Sequence, residues 1–101
     1  MDKLAILALL EAKPGKEQEV EEFLKSAQPL AVKESGTTTW YAVKLGPAKF
    51  GIFDTFKDRG GRDAHLSGDI AKALFAKAEE LFAVSPQVEM LEILASKAPE
   101  A

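Results

Sequence analysis

The sequence contains no cysteine, and only one histidine, one tryptophan and one tyrosine occur among its 101 residues. Without cysteine, disulfide bonds, thiolate metal sites and a cysteine nucleophile are excluded. The 13 lysine and arginine residues are scattered among 16 acidic residues and form no basic stripe, which argues against nucleic acid as a partner. The remaining composition, 47% hydrophobic and 29% charged, is typical of one globular domain.

Long hydrophobic runs are also lacking. The apolar opening LAILALL (Leu4 to Leu10) is far shorter than the roughly 20 residues that a helix needs to span a bilayer, and no signal-peptide cleavage pattern follows it. We therefore expect a cytoplasmic protein with no membrane contact. The chain is predicted to form a single domain over residues 1–96, followed by a flexible tail over residues 97–101.

Hydrophobic periodicity and turn residues divide the chain into six predicted elements. In order they are a strand over 3–13, a helix over 16–34, a hairpin of two strands over 37–45 and 49–56, a helix over 68–83 and a strand over 87–96. The segment KDRGGR (Lys57 to Arg62) is predicted to be a loop. The βαββαβ order predicts an α+β, ferredoxin-like fold, in which a four-stranded antiparallel sheet carries both helices on one face.

The first strand is apolar on both of its sides, with Leu4, Ile6, Ala8 and Leu10 on one and Ala5, Leu7 and Leu9 on the other. Two helices cover only one side of the sheet. A monomer would expose the other side to water, so we expect a homodimer joined through the helix-free sheet face.

Three stretches within this order carry a family resemblance: KPGKEQEVEEFL at the start of the first helix, FDTFKD at the end of the third strand, and DAHLSGDIAKAL before the second helix. Together they resemble the antibiotic biosynthesis monooxygenase family of dimeric α/β barrel proteins. Asp54 and Phe56 match an acidic residue two positions before an aromatic residue, and Ala64-His65-Leu66 matches an Ala-His-Leu step. The second histidine of many members has no counterpart in Ser67–Ile70.

The resemblance implies a dimeric α/β barrel that oxidises a small electron-rich aromatic, such as a quinol or polyketide phenol, with molecular oxygen and with no flavin, haem or metal cofactor. His65, with an unperturbed pKa of about 6.5, is the candidate base for a phenolic proton, and Asp54 is a candidate to orient it. We expect His65 to line a pocket between the sheet and the second helix, with the DRGGRD segment as a movable lid. The candidate aromatic wall of that pocket is Trp40, Tyr41, Phe53, Phe56 and Phe75.

Structural roles compete with each of these assignments. A lone histidine before a helix is commonly a surface or capping residue, Asp54 reads by default as a solvated acid at the sheet end, and the aromatic residues suit a core. A non-catalytic dimer of the same fold that binds a small ligand is the second functional hypothesis. Haem degradation is a minor one, because the histidine that holds iron in that branch of the superfamily has no counterpart in Gly68–Ala83.

Overall fold

The computed structural model describes residues 2–98, which form one antiparallel sheet with helices on one face. The strand order is β2-β3-β1-β4, and every neighbouring pair is antiparallel. The elements along the chain are β1 (Leu4–Glu11), α1 (Glu17–Lys33), β2 (Thr37–Lys44), β3 (Lys49–Phe56), α2 (Arg59–Leu66), α3 (Asp69–Ala76), α4 (Ala78–Leu81) and β4 (Gln87–Glu92). The predicted ferredoxin-like α+β fold is confirmed.

Alternation along the two central strands separates the two faces of the sheet. Ala8 lies opposite Ile52 and Leu10 opposite Phe50, and these four side chains form the sheet half of the main core. The rest of this core consists of Val20, Leu24, Leu74 and Leu81 from the helices, together with Ala12 and Phe82 from outside them. The helices therefore cover the face that carries the even-numbered residues of β1 and β3.

Helix α1 follows the left-handed turn at Gly15 (φ 86°). Glu17 and Glu19 lie in its first turn, where a negative charge stabilises the helix through its dipole. Its buried stripe repeats every three to four residues and consists of Val20, Leu24, Ala27 and Ala31. The helix ends at Lys33, and its C-cap is Glu34, whose backbone N–H donates to the Ala31 carbonyl at 3.1 Å. This end of α1 lies beside α2.

The structure corrects the predicted loop over KDRGGR, because helix α2 begins inside it at Arg59. Asp58 is the N-cap, and its carboxylate accepts from the Gly61 N–H at 2.8 Å. The glycines indicated a loop, but Gly61 serves close packing: a Cβ there would lie 2.6 Å from the Gly36 carbonyl oxygen. The segment expected to act as a lid is therefore a capped and packed helix, and its movement stays a prediction.

The predicted helix over 68–83 is also corrected, because two helices, α3 and α4, occupy this range and meet at Lys77. The helical range stops at Leu81, since Phe82 is extended and bridges to Ala12 beyond the end of β1. Within this range Ile70, Leu74, Leu81 and Phe82 are buried.

Strand β4 is shorter than predicted. It ends at Glu92, which pairs with Leu4, the first residue of β1, and one further backbone hydrogen bond joins the Ile93 N–H to the Lys3 carbonyl at 2.7 Å. The predicted tail lies partly outside the described residues: Lys97 and Ala98 have no regular structure, and residues 99–101 are not described. Within residues 2–98, no helix is long and apolar enough to cross a bilayer.

Candidate functional site

The imidazole of His65 lies between two carboxylates. His65 is in the last turn of α2, with 9% of its side chain exposed. Its Nδ1 is 2.6 Å from Glu34 Oε1, and its Nε2 is 2.9 Å from Asp54 Oδ2. Its ring also packs on Phe56, with ring centroids 5.3 Å apart. We call Asp54, His65 and Glu34 the acid–imidazole cluster; in it, both ring nitrogens already have partners.

Two glycines allow this cluster to form. The backbones of Gly36 and Gly61 are in contact, which brings the connection after α1 against the start of α2. Glu34, two residues before Gly36, then reaches His65 across the contact. The side chain of Asp54 is 1% exposed and that of Glu34 is 20% exposed, so the cluster extends from the core to the surface.

The protonation of His65 follows from its surroundings. Burial lowers the pKa of the imidazole, but the contacts with Asp54 and Glu34 outweigh this effect and raise the pKa to about 8. The ring also lies in the last turn of α2, where a positive charge is favoured by the helix dipole. His65 is therefore mainly an imidazolium at neutral pH and accepts a proton only after losing its own near pH 8. The competing structural role as a surface residue is wrong, because the ring is buried.

Asp54 is fully buried, which corrects the reading of it as a solvated acid. It lies opposite Trp40 of β2 in the sheet register. Among residues 2–98, neither of its carboxylate oxygens has a partner that meets hydrogen-bond geometry, so the 2.9 Å contact with His65 Nε2 is an ion pair by distance. The buried Trp40 Nε1 has no hydrogen-bond partner in the same part of the chain. An unpaired buried polar group costs about 1–3 kcal/mol, which a bound polar group would offset.

The five candidate aromatic residues do not form one wall within a single chain. Trp40 and Phe56 share the helix-covered face with the acid–imidazole cluster, as the register with Asp54 and the contact with His65 show. Tyr41 lies opposite Phe53, and this pair is on the helix-free face. Phe75 lies on α3 and is 55% exposed. The structure thus brings Trp40 and Phe56 to the cluster and keeps the other three away from it.

A groove of about 220 Å³ lies between the end of α1 and the start of β2. Its lining consists of Gln28, Ala31 and Val32 from α1 and of residues 37–40, and we call it the Trp40 groove. A second groove, of about 520 Å³, is lined by Lys13 and by residues around α4. His65 lines neither of these two grooves, and its place in a pocket stays a prediction.

Thr37 connects the Trp40 groove to the cluster. Its hydroxyl donates to Glu34 Oε1 at 2.7 Å, and the same oxygen contacts His65 Nδ1. The sequence analysis did not identify Glu34 or Thr37. The sequence held one signal for Glu34. An acidic residue at a helix C-terminus interacts unfavourably with the helix dipole, and such an unfavourable position is expected where a tertiary contact, here with His65, compensates for it.

Over the described residues 2–98, no three acidic or histidine side chains are grouped so as to hold a metal ion. Both nitrogens of the single histidine contact carboxylates.

The fold defines the chain as a ferredoxin-like α+β protein and is shared by solved structures of low sequence identity. A "putative antibiotic biosynthesis monooxygenase" from Nitrosomonas europaea is 14% identical with a TM-score of 0.81, over 91% of this chain and 99% of that chain. A protein of the same description from Caulobacter crescentus is 20% identical with a TM-score of 0.77, over 93% of this chain and 92% of that chain. At these identities the likeness shows the fold alone.

A much nearer relative shows the family. The NE2512 protein of unknown function from Nitrosomonas europaea is 53% identical, with a TM-score of 0.96, over 100% of this chain and 98% of that chain. The chain belongs to the same family as that protein. No protein-family model and no curated protein matches the chain.

Proposed function

We propose that the chain is a cofactor-independent monooxygenase that oxidises a small hydroxylated aromatic with molecular oxygen. One observation carries the proposal: Asp54, whose buried carboxylate is next to His65, is paired in the sheet with Trp40, whose buried Nε1 has no hydrogen-bond partner among residues 2–98. A phenolic hydroxyl can donate to a carboxylate and accept from an indole N–H, so it suits both groups. Buried, perturbed titratable groups are typical of functional sites, and the putative monooxygenases of the same fold add support by analogy.

The chemistry needs a phenolate that gives an electron to oxygen. For an anthrone, one oxygen atom joins the ring carbon as a carbonyl, and the two hydrogens of that carbon leave with the other oxygen atom as water. The substrate supplies all four electrons. In this proposal the cluster takes up the phenolic proton, and His65 becomes a proton acceptor as it loses its own proton near pH 8.

Oxygen uptake with a panel of quinols and anthrones tests this proposal. We expect uptake by the wild type to rise with pH through about 8, because the neutral imidazole is the competent form. His65→Gln should lower turnover by roughly 10²–10⁴-fold, the usual contribution of a positioned base. Asp63→Asn, on an exposed position of the same helix, is the matched control and should retain activity. Uptake no faster than that of buffer for every compound would refute the proposal.

A second function, non-catalytic binding of a small aromatic ligand, is favoured by one specific feature. Both nitrogens of His65 are engaged, and the ring is mainly protonated at neutral pH, which suits a binding charge better than a base. Saturable binding without oxygen uptake would select this function. Haem degradation gains no support, since neither ring nitrogen is free to bind iron.

We also propose that a second copy of the chain covers the helix-free sheet face. Leu7, Leu9 and Phe53 on the central strands of this face are only partly buried in the single chain. Tyr41 and Val43 on the neighbouring strand β2 are 57% and 45% exposed. These side chains form one apolar surface across three strands, and a second identical face buries it symmetrically.

A further inference from the structure

We infer that the Trp40 groove binds a neutral, hydroxylated aromatic ring, and that its occupancy is coupled through Thr37 and Glu34 to the proton on His65. This inference rests on the ligand class of the proposed function and assigns it a place on the chain. It adds Gln28 and Thr37 as binding residues, together with a route from the ligand to the cluster.

The size and lining of the groove select the ligand class. Its volume of about 220 Å³ has room for an aromatic ring, because a cavity of about 150 Å³ holds benzene. The lining consists of Trp40, the three threonines of residues 37–39, Gln28, and the apolar Ala31 and Val32. None of these residues is charged. The lining therefore suits an uncharged ring with hydroxyl groups, and an anion would find no cationic partner there.

The two sides of the groove lead to the two ends of the acid–imidazole cluster. On one side, Trp40 lines the groove and lies opposite Asp54 in the sheet, and its buried Nε1 has no hydrogen-bond partner among residues 2–98. On the other side, Thr37 lines the groove and donates to Glu34. The ring of a bound phenol is placed on the indole, where aromatic pairs gain stabilisation beyond their buried area.

Ligand binding and the protonation of His65 are coupled because Glu34 Oε1 contacts both the Thr37 hydroxyl and the His65 ring. This oxygen lies 2.7 Å from the Thr37 hydroxyl and 2.6 Å from His65 Nδ1. A ligand that draws the Thr37 hydroxyl to itself leaves the carboxylate with His65 as its remaining close partner. The carboxylates that face His65 are Glu34 at the end of α1 and Asp54 on β3, so a change at Glu34 alters one of the two charges that set its protonation.

The single tryptophan and single histidine allow a direct test on the full chain. Phenol is titrated into ¹⁵N-labelled protein in the absence of oxygen, with anisole as the probe that lacks the hydroxyl donor. We expect phenol to shift the one indole N–H signal in a saturable way and to shift the pH midpoint of the His65 ring signals. Anisole should bind more weakly by about 2- to 10-fold, the value of one neutral hydrogen bond.

A matched pair of variants separates the coupling from binding. Thr37→Val keeps the shape of the side chain and removes the hydroxyl, so the phenol-induced shift of the His65 midpoint should disappear. Ser35→Ala removes an exposed hydroxyl of the same connection that does not line the groove, and it should leave both signals as in the wild type. Binding that leaves the indole signal unchanged, equal affinity for anisole, a coupling that survives Thr37→Val, or no binding up to the solubility limit of phenol would each overturn the inference.

Failure of this inference is distinct from failure of the proposed function. If the protein takes up oxygen but phenol does not change its indole signal, binding in the Trp40 groove is refuted and the proposed oxidation stands. If phenol binds with the expected coupling but the protein consumes no oxygen, binding in the Trp40 groove is supported and the proposed oxidation is refuted.

Discussion

The pH dependence of unfolding should report the protonation of His65. Its pKa is about 8 in the folded chain, because the contacts with Asp54 and Glu34 outweigh the effect of burial, and about 6.5 in the unfolded chain. A raised pKa means that the folded state holds the proton more tightly. The resulting stabilisation is fully present below pH 6.5 and is lost as the pH rises through 8.

The magnitude follows from the size of the shift. One pKa unit corresponds to about 1.4 kcal/mol, so a rise from 6.5 to about 8 contributes roughly 2 kcal/mol to the free energy of unfolding. The side chain is only 9% exposed, so solvent screens this contribution little. This is a large fraction of the 5–15 kcal/mol that is typical of a small domain.

Urea unfolding at fixed protein concentration, followed by the fluorescence of Trp40, measures this contribution between pH 6 and pH 9. We expect the free energy of unfolding to fall by about 2 kcal/mol over this range in the wild type. His65→Gln removes the titrating group and should give a nearly flat profile. Equal stability of the wild type at both pH values, or a rise toward pH 9, would refute the proposed ion pairs.

Three further predictions concern assembly and packing. Leu7→Glu places a charge on the helix-free face and should convert a dimer to a monomer in analytical ultracentrifugation; an unchanged mass would contradict the proposed interface. Asp58→Ala removes the N-cap of α2 and should lower the free energy of unfolding by about 1 kcal/mol in urea; no loss would count against the cap. Gly61→Ala places a methyl group 2.6 Å from the Gly36 carbonyl oxygen and should lower the melting temperature, whereas Gly60→Ala, with its nearest atom at 3.4 Å, should be tolerated. Equal melting temperatures would contradict the close contact.

Local patterns predicted most of the fold. The run that forms β1 and the hairpin of β2 and β3 were identified because their apolar and β-branched residues are bounded by Pro14-Gly15 and Gly46-Pro47. The even and odd residues of β1 were assigned correctly to opposite faces, since side chains alternate along a strand.

Non-local contacts account for what the patterns missed. The glycines of α2 predicted a loop because local propensity disfavours glycine in a helix, whereas the packing of Gly61 on Gly36 requires it. Glu34 reaches His65 across 31 positions of the sequence, a distance at which no periodicity operates. The sequence identified His65 and Asp54 as candidates, and the structure brings them together and adds the third member of the cluster.

The most direct test of the proposed oxidation is mass spectrometry of the product formed from anthrone under ¹⁸O₂. We expect the wild type to convert anthrone to a quinone that carries one ¹⁸O atom per molecule, at a rate that rises through about pH 8 and falls strongly in His65→Gln. A product without ¹⁸O, or the same rate for His65→Gln as for the wild type across this pH range, would contradict the account.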